Sequence, residues 1–346
     1  MLAINAFDSP AFWAHPSCCP STDHFVDLGS FTLSDGTVID KPRVALRDTG
    51  NRSGPAVLIL GGISALRHVD GDEAGGWWER IVGAGKAVDT TQQRILSVDY
   101  LGAGDSTHPP AADAWQLTPF DQARIIERAL RAHGVHSLAG VIGCSYGGLV
   151  ALALGERSPD FANTLCVLCA SHRPAVRTTA YRSVQRDIVR LGLENGHPRQ
   201  GVELARRLAM IGFRTGEELD ARFPSLGIAD DEARQTRSNV QSYLAAKGDF
   251  YGSTVSPETF LCLSQSCDLG QIHPESVRCP VWLAAAETDE IVPVEHVREL
   301  ASRLPKCLSL RTVYSRTGHD AFLTEEGFVC EILSSFSSGS LKEVCS

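Results

Sequence analysis

An α/β fold with a mostly parallel central sheet and an inserted block of helices is predicted by three features of this 346-residue chain. Short apolar, β-branched runs alternate with helix-like stretches through the first half, as parallel strands and their crossovers do. From about Arg173 to Asp268 the alternation stops and helical periodicity continues alone. Strand-like runs then return before the C-terminus. The simplest account is one sheet interrupted by a helical lid, with residues 1–172 and 273–346 forming the core and residues 173–272 the insertion.

In chain order, the strand candidates are Ala56 to Leu60 (AVLIL), Ile95 to Val98, Leu138 to Ile142, Thr164 to Ala170, Val281 to Ala286 (VWLAAA) and Ser309 to Tyr314. Each is short and apolar, the pattern of a strand buried on both faces. Thr118 to His133 reads as an amphipathic helix with Ile125, Ile126, Ala129 and Leu130 on one side. Gly147 to Arg157 reads as a second, buried one. In the insertion, Val202, Ala205, Leu208, Ala209 and Ile211 mark one helix, and Val240, Tyr243 and Leu244 mark another. Such an insertion would cover the carboxyl ends of the strands, where open α/β sheets bind ligands.

Composition narrows the function. With 43% hydrophobic and 21% charged residues the chain reads as soluble and globular. It has no apolar run long enough to span a bilayer and no signal-like start, so a cytoplasmic protein without a membrane partner is expected. A net charge of −9 disfavours nucleic acid as a partner. The eleven cysteines are odd in number and scattered, which suits reduced, packed thiols. Cys166 and Cys169 are three apart in an apolar strand and should face opposite sides, and Cys18-Cys19 has no partner set, so no metal site is expected. One local bias stands out: the segment Arg173 to Arg214 holds nine arginines against Asp187, Glu194 and Glu203. Either a solvated helix face or an anion-binding rim accounts for it.

The chemistry centres on Gly143-Cys144-Ser145-Tyr146-Gly147. A G-x-S-x-G sequence between a strand and a helix forms a sharp turn that exposes the serine hydroxyl, and small residues are required two before and two after it. Ser145 is therefore the candidate nucleophile. A serine hydroxyl needs a base and an orienting acid. Asp289 lies in Glu287-Thr-Asp-Glu-Ile-Val-Pro293, directly after VWLAAA, with Glu287 and Glu290 as neighbouring alternatives; His319 lies in Thr317-Gly-His-Asp-Ala-Phe-Leu323, after the last strand. Ser, Asp, His is the chain order of the α/β-hydrolase fold. The backbone N–H groups of Tyr146, next to the nucleophile, and of Ile63, in Leu60-Gly61-Gly62-Ile63-Ser64-Ala65, are the candidate oxyanion donors. Gly61-Gly62 lacks the downstream residues of a phosphate loop.

Beyond the fold, several segments resemble the homoserine O-acyltransferases of the acetyltransferase type. Gly76-Trp-Trp-Glu-Arg-Ile-Val-Gly-Ala-Gly-Lys-Ala-Val-Asp-Thr90 is similar to the family's G-W-W…G-P-G-K-A-I-D-T signature, which general hydrolase chemistry does not require. Leu101-Gly-Ala-Gly-Asp-Ser-Thr107 resembles its L-G-x-x-x-G-S-T loop, with Asp105 in place of the second glycine. Val184 to Ile188, Gly201 to Arg214 and Val240 to Leu244 resemble its lid helices, and Gly318 to Leu323 its histidine loop.

The resemblance implies a ping-pong acyltransferase: Ser145 takes an acyl group from acyl-CoA and hands it to the hydroxyl of L-homoserine in methionine biosynthesis, with no bound cofactor. It assigns Arg186 to the homoserine carboxylate and Asp320 to its ammonium group, and it implies a homodimer formed through the lid. The stretches after Thr107 and between Asp187 and Gly201 depart from the family pattern. Acetyl-CoA is the default donor with succinyl-CoA as rival, and serine is a less favoured acceptor. A serine esterase or thioesterase using the same triad on water, and a scaffold without turnover, are the readings from other classes.

Overall fold

The computed structural model describes residues 21–71, 75–223 and 230–338. Its centre is an eight-stranded sheet. The strands in chain order are β1 (Thr22–Asp27), β2 (Arg43–Gly50), β3 (Ala56–Leu60), β4 (Arg94–Val98), β5 (Gly140–Cys144), β6 (Leu165–Leu168), β7 (Val281–Ala286) and β8 (Cys307–Val313). They lie in the order β1-β2-β4-β3-β5-β6-β7-β8. The first two pairings, β1 with β2 and β2 with β4, are antiparallel, and all the others are parallel.

Alternation along the strands divides the core into two layers. Leu58, Leu60, Leu96, Val141, Leu165, Val167, Val281 and Leu283 face α1 (Pro119–Ala132), α2 (Tyr146–Arg157) and α8 (Val294–Arg303). Their neighbours Val57, Ile59, Ile95, Ile142, Cys166, Trp282 and Ala284 face Trp78 and the short and long C-terminal helices α9 (Ala321–Thr324) and α10 (Glu326–Ser338). A strand buried on both faces has no polar side to display, which is why these runs read as continuously apolar.

Five helices intervene between β6 and β7: α3 (Val176–Glu194), α4 (Pro198–Phe213), α5 (Gly216–Arg222), α6 (Asp230–Thr254) and α7 (Pro257–Asp268). They share a small core of their own, built from Val189, Val202, Ala205, Tyr251, Phe260 and Leu261. None of the described helices is long and apolar enough to cross a membrane.

The structure differs from the sequence reading in several places, among them the strand expected at Thr164 to Ala170, which spans only Leu165–Leu168, and the one expected at Ser309 to Tyr314, which spans Cys307–Val313. The chain enters the sheet through β1 and β2 with no helix between them, two strands that the apolar runs did not reveal. The β5 strand begins and ends two residues later than expected, because Gly143 and Cys144 continue the ladder with β6 while Leu138 makes only an isolated bridge to Ala162. Cys169 follows the end of β6 with a φ of 49°, which turns it onto the same side as Cys166. Both thiols are free and packed in the apolar layer, and burial holds them firmly protonated. Cys18 and Cys19 lie outside the described residues.

Candidate functional site

Ser145 is the single residue between β5 and α2, and its backbone is strained, with φ 54° and ψ −119°. A non-glycine residue at positive φ costs on the order of 1–3 kcal/mol, so the neighbourhood has to enforce it. Two glycines make the turn possible. A β-carbon at Gly143 would stand 2.4 Å from the Gly147 carbonyl oxygen, and one at Gly147 would stand 2.2 Å from the carbonyl oxygen of Leu60. The turn is tied to its neighbours by hydrogen bonds from Ser145 N–H to Leu168 O (2.9 Å) and from Gly147 N–H to Gly61 O (3.0 Å). The buried Tyr100 hydroxyl donates to the same Gly61 oxygen at 2.7 Å.

The hydroxyl this turn presents meets a histidine. Ser145 Oγ is 2.7 Å from His319 Nε2, and His319 Nδ1 is 2.7 Å from Asp289 Oδ2. The other carboxylate oxygen of Asp289 accepts from the backbone N–H groups of Ile291 (2.8 Å) and Val292 (2.9 Å). Those two bonds explain the D-x-I-V spacing: the turn after the aspartate locks its rotamer and leaves one oxygen for the imidazole. Glu287 instead accepts from the Thr312 hydroxyl, and Glu290 pairs with Arg177. His319 and Asp289 are both buried. Burial opposes a charged imidazole, but the charge and hydrogen bond of Asp289, with the charge of Asp320, outweigh it and raise the His319 pKa above its ordinary value. Geometry and electrostatics together place His319 where it could take the proton of Ser145.

The loop after β3 runs beside the serine. A β-carbon added at Gly62 would lie 3.8 Å from Ser145 Cβ, in ordinary contact. The Tyr146 N–H is the first of its helix and has no intrahelical acceptor. Neither that amide nor the one of Ile63 meets an acceptor among the described residues. The tryptophan pair behind this loop has a mechanical role. Trp77 and Trp78 stack with centroids 5.2 Å apart. A β-carbon on Gly61 would run into Trp77 at 2.7 Å, and Trp78 Nε1–H donates to Phe322 O at 3.0 Å. Phe322 in turn sets its ring edge against His319. One dipeptide thus backs both the loop beside the serine and the loop that carries the histidine.

The inserted helices close over this site. Phe213, at the end of α4, stacks on His319 with centroids 5.9 Å apart. The Tyr146 hydroxyl is 2.6 Å from Ser266 Oγ on α7, and the Ser64 hydroxyl donates to Tyr251 on α6 at 3.3 Å. Two residues singled out for an amino-acid substrate are engaged by the protein itself. Arg186 Nη1 binds Asp268 Oδ2 at 2.7 Å and the Ser264 hydroxyl and carbonyl oxygens at 3.2 Å. Asp320, next to His319, pairs with Arg214 at 2.9 Å. Arg186 is not among the residues lining the cavity beside Ser145; Arg182, one turn earlier on α3 and bonded to the same Asp268, is.

A residue that the sequence reading passed over, which like Arg186 does not line that cavity, lies against the aromatic residues next to His319. Arg206 is half-buried on α4, with its guanidinium over the rings of Phe213 (5.3 Å) and Tyr251 (4.7 Å). It has no carboxylate partner among the described residues. Of the other eight arginines in the segment, Arg173, Arg177, Arg182, Arg186, Arg190, Arg199 and Arg214 pair with aspartate or glutamate, and Arg207 has no carboxylate partner among the described residues. Guanidinium groups resting on aromatic faces keep their hydrogen-bond donors for a ligand. The signal available in the sequence was only its place beside Phe213 on one helix face. The cavity next to the serine is lined by Ser145, Leu149, Pro174 and Ile291, with Arg173, Arg182 and His296 supplying its polar groups.

The chain is similar to known proteins over most of its length. Residues 55–326 match the family model of the alpha/beta hydrolase fold. A homoserine O-succinyltransferase of Xanthomonas campestris pv. campestris is 37% identical over 281 residues, covering 80% of this chain and 73% of that protein. A homoserine O-acetyltransferase of Mycolicibacterium smegmatis is 31% identical over 346 aligned positions, covering 89% of this chain and 91% of its own. The crystal structure of homoserine O-acetyltransferase from Bacillus anthracis superposes with a TM-score of 0.83 at 18% identity, covering 94% of this chain and 99% of that one.

A reaction that runs through Ser145 requires neutral His319. Turnover should therefore fall as pH drops through an apparent pKa above about 6.5, the ordinary histidine value. Asp289→Asn removes the charge that raises this pKa and the acceptor that fixes the tautomer. Its acid limb should move to lower pH, with kcat reduced by roughly 10⁴-fold. A pH–rate profile unchanged by Asp289→Asn would exclude the Ser145–His319–Asp289 relay.

Proposed function

We propose, for a chain that belongs to the α/β-hydrolase family and within it to the homoserine O-acyltransferases, that the acyl group travels from acyl-CoA through Ser145 to the hydroxyl of L-homoserine, a step of methionine biosynthesis. The observation that carries the reading is the Ser145–His319–Asp289 relay roofed by a helix whose Arg206 lies over the ring that stacks on His319. In the first half-reaction Ser145 Oγ attacks the thioester carbonyl while His319 Nε2 takes its proton, and the backbone N–H groups of Tyr146 and Ile63 receive the oxyanion. The carbon–sulfur bond breaks and the departing thiolate takes the proton from His319. In the second, His319 takes the proton of the homoserine hydroxyl, whose oxygen attacks the acyl-serine. Ser145 Oγ leaves and recovers that proton. No bound cofactor is needed; acyl-CoA enters as co-substrate.

An amino acid needs one fixed cation and one fixed anion to present its side-chain hydroxyl in a single orientation. Arg206 is assigned the carboxylate in place of Arg186, whose Nη1 is taken by Asp268 and Ser264. Asp320 keeps the ammonium group, with Arg214 holding its side chain beside His319. Arg206→Gln is expected to raise KM for homoserine by about 10- to 100-fold, the loss of a charge-assisted hydrogen bond or two, while thiol release from acyl-CoA in the first turnover continues at the native rate. Equal loss of both would overturn the assignment.

The choice of donor draws on the relatives and on the cavity beside Ser145. Acetyl-CoA is the default implied by the family resemblance. The relative of 37% identity bears the name of a succinyltransferase, and the cavity wall carries Arg173 and Arg182, whose pairing with Glu299 and Asp268 a second carboxylate would have to share. Succinyl-CoA is therefore our preferred donor. Measured side by side with both thioesters, steady-state thiol release is expected to depend on homoserine and to be faster with succinyl-CoA. Faster turnover with acetyl-CoA would overturn the donor assignment alone. Steady release without any amino acid would replace the transferase with a thioesterase.

The proposed homodimer draws on exposed apolar groups. Tyr181, Val184 and Leu191 project from α3, with the last two separated by seven residues on one helix face, and Phe250 lies 72% exposed on α6. Light scattering is expected to give the mass of two chains, and Val184→Asp with Leu191→Asp the mass of one. A monomeric native chain would exclude the lid interface.

A further inference from the structure

We propose that His24, Asp48 and His133 form a binding site for one divalent transition-metal cation of the zinc class, on the antiparallel side of the sheet and separate from the acyl-transfer centre. The three residues are far apart in sequence and have no ligand spacing, which is why the sequence reading expected no metal. The fold assembles them. In the β1–β2 ladder His24 opposes Leu46 and Asp48 opposes Thr22, so His24 and Asp48 are diagonal neighbours on one face. His133 is the C-terminal cap of α1 and reaches down onto that face.

The donor atoms converge. One ligand atom from each residue lies within 4.8 Å of the other two. His133 Nε2 and Asp48 Oδ2 are 3.1 Å apart, near the spacing of roughly 3.4 Å between adjacent ligands of a tetrahedral zinc ion with bonds of about 2.0–2.1 Å. The imidazoles lie with centroids 4.4 Å apart and planes tilted by 52°. His24 Nε2 is buried and has no hydrogen-bond partner, a cost that a metal ion would remove.

The surroundings select the ion. Arg94 holds Asp48 through Nε and Nη2, the latter at 2.7 Å, and Arg52 stands 4.0 Å from the same carboxylate. Arg94 orients the carboxylate ligand as a second-sphere partner. The two guanidinium charges also disfavour hard cations bound by charge alone, so magnesium and calcium are poor occupants, whereas zinc gains from bonds to imidazole nitrogen. The His133 side chain is 16% exposed, which leaves the fourth position open to a water or to an anion drawn by the arginines. Such an ion would brace the edge strand β1 and the end of α1 against β2. Asp48 lies three strands from Ser145, roughly 14 Å at the usual strand spacing, so the ion would take no part in acyl transfer.

The test uses the full chain stripped with a chelator and titrated with zinc by calorimetry. One equivalent is expected to bind and to raise Tm. His24→Gln and His133→Gln should each weaken binding by at least tenfold and leave acyl transfer unchanged. X-ray absorption on the native zinc complex needs no variant to fold: two imidazoles and oxygen near 2.0 Å are expected, and a sulfur shell near 2.3 Å would assign the ion to cysteines instead. Absent binding, a sulfur shell, or unchanged affinity in His24→Gln or His133→Gln would each overturn the proposal.

Discussion

The positive φ of Ser145 is the constraint on which the rest of this site depends. A strand that leads straight into a helix leaves one residue to make the turn, and that residue can keep a side chain only if its neighbours have none. Gly143 and Gly147 meet the requirement by letting backbone approach where a methyl group would collide. The close approach then recruits the β3 loop. Gly61 O accepts from Gly147 and Tyr100, Gly61 itself rests against Trp77, and the Gly62–Ile63 segment comes to lie beside the serine. The strain at one residue is thus held by packing from three elements, and the hydroxyl it exposes points at His319.

Charge is arranged in the lid by a similar logic of commitment. Arginines on α3 and α4 find carboxylates within the lid or across to the core, so their positive charge is largely used in holding helices to the sheet. Arg206 and Arg207 have no carboxylate partner among the described residues, and of the two it is Arg206 that lies over aromatic rings. Its guanidinium rests on Phe213 and Tyr251, the first stacked on the base and the second bonded to the loop beside the nucleophile. A carboxylate docked there would touch the two side chains that frame the reaction. Homoserine and water differ in this respect: only the amino acid has charges for the lid to read, which favours transfer over hydrolysis.

Legibility in the sequence followed the range of the interactions. The elbow was readable because its demands are local, and Asp289 was readable because its turn is made by the residues that follow it. The inner strands were readable because burial on both faces leaves a continuous apolar run. β1 and β2 were not, since β2 buries Arg47 and Asp48 and covers their charges with Asp70 and Arg94 from elsewhere in the chain. The choice between Arg186 and Arg206 was likewise hidden, because it depends on Asp268 being about eighty residues away in sequence and adjacent in space. The tryptophan block carried family identity in the sequence, but its mechanical function, bracing Gly61 and Phe322 together, required coordinates.

The central claim is that Ser145 becomes an acyl carrier. Intact-mass and peptide mass spectrometry of the protein mixed with succinyl-CoA, with homoserine omitted, tests it most directly. One succinyl group esterified to the Ser145 peptide is expected, absent from Ser145→Ala and discharged on addition of homoserine with appearance of O-succinylhomoserine. Product formation with no acyl group ever on Ser145, or an adduct that homoserine does not discharge, would contradict it.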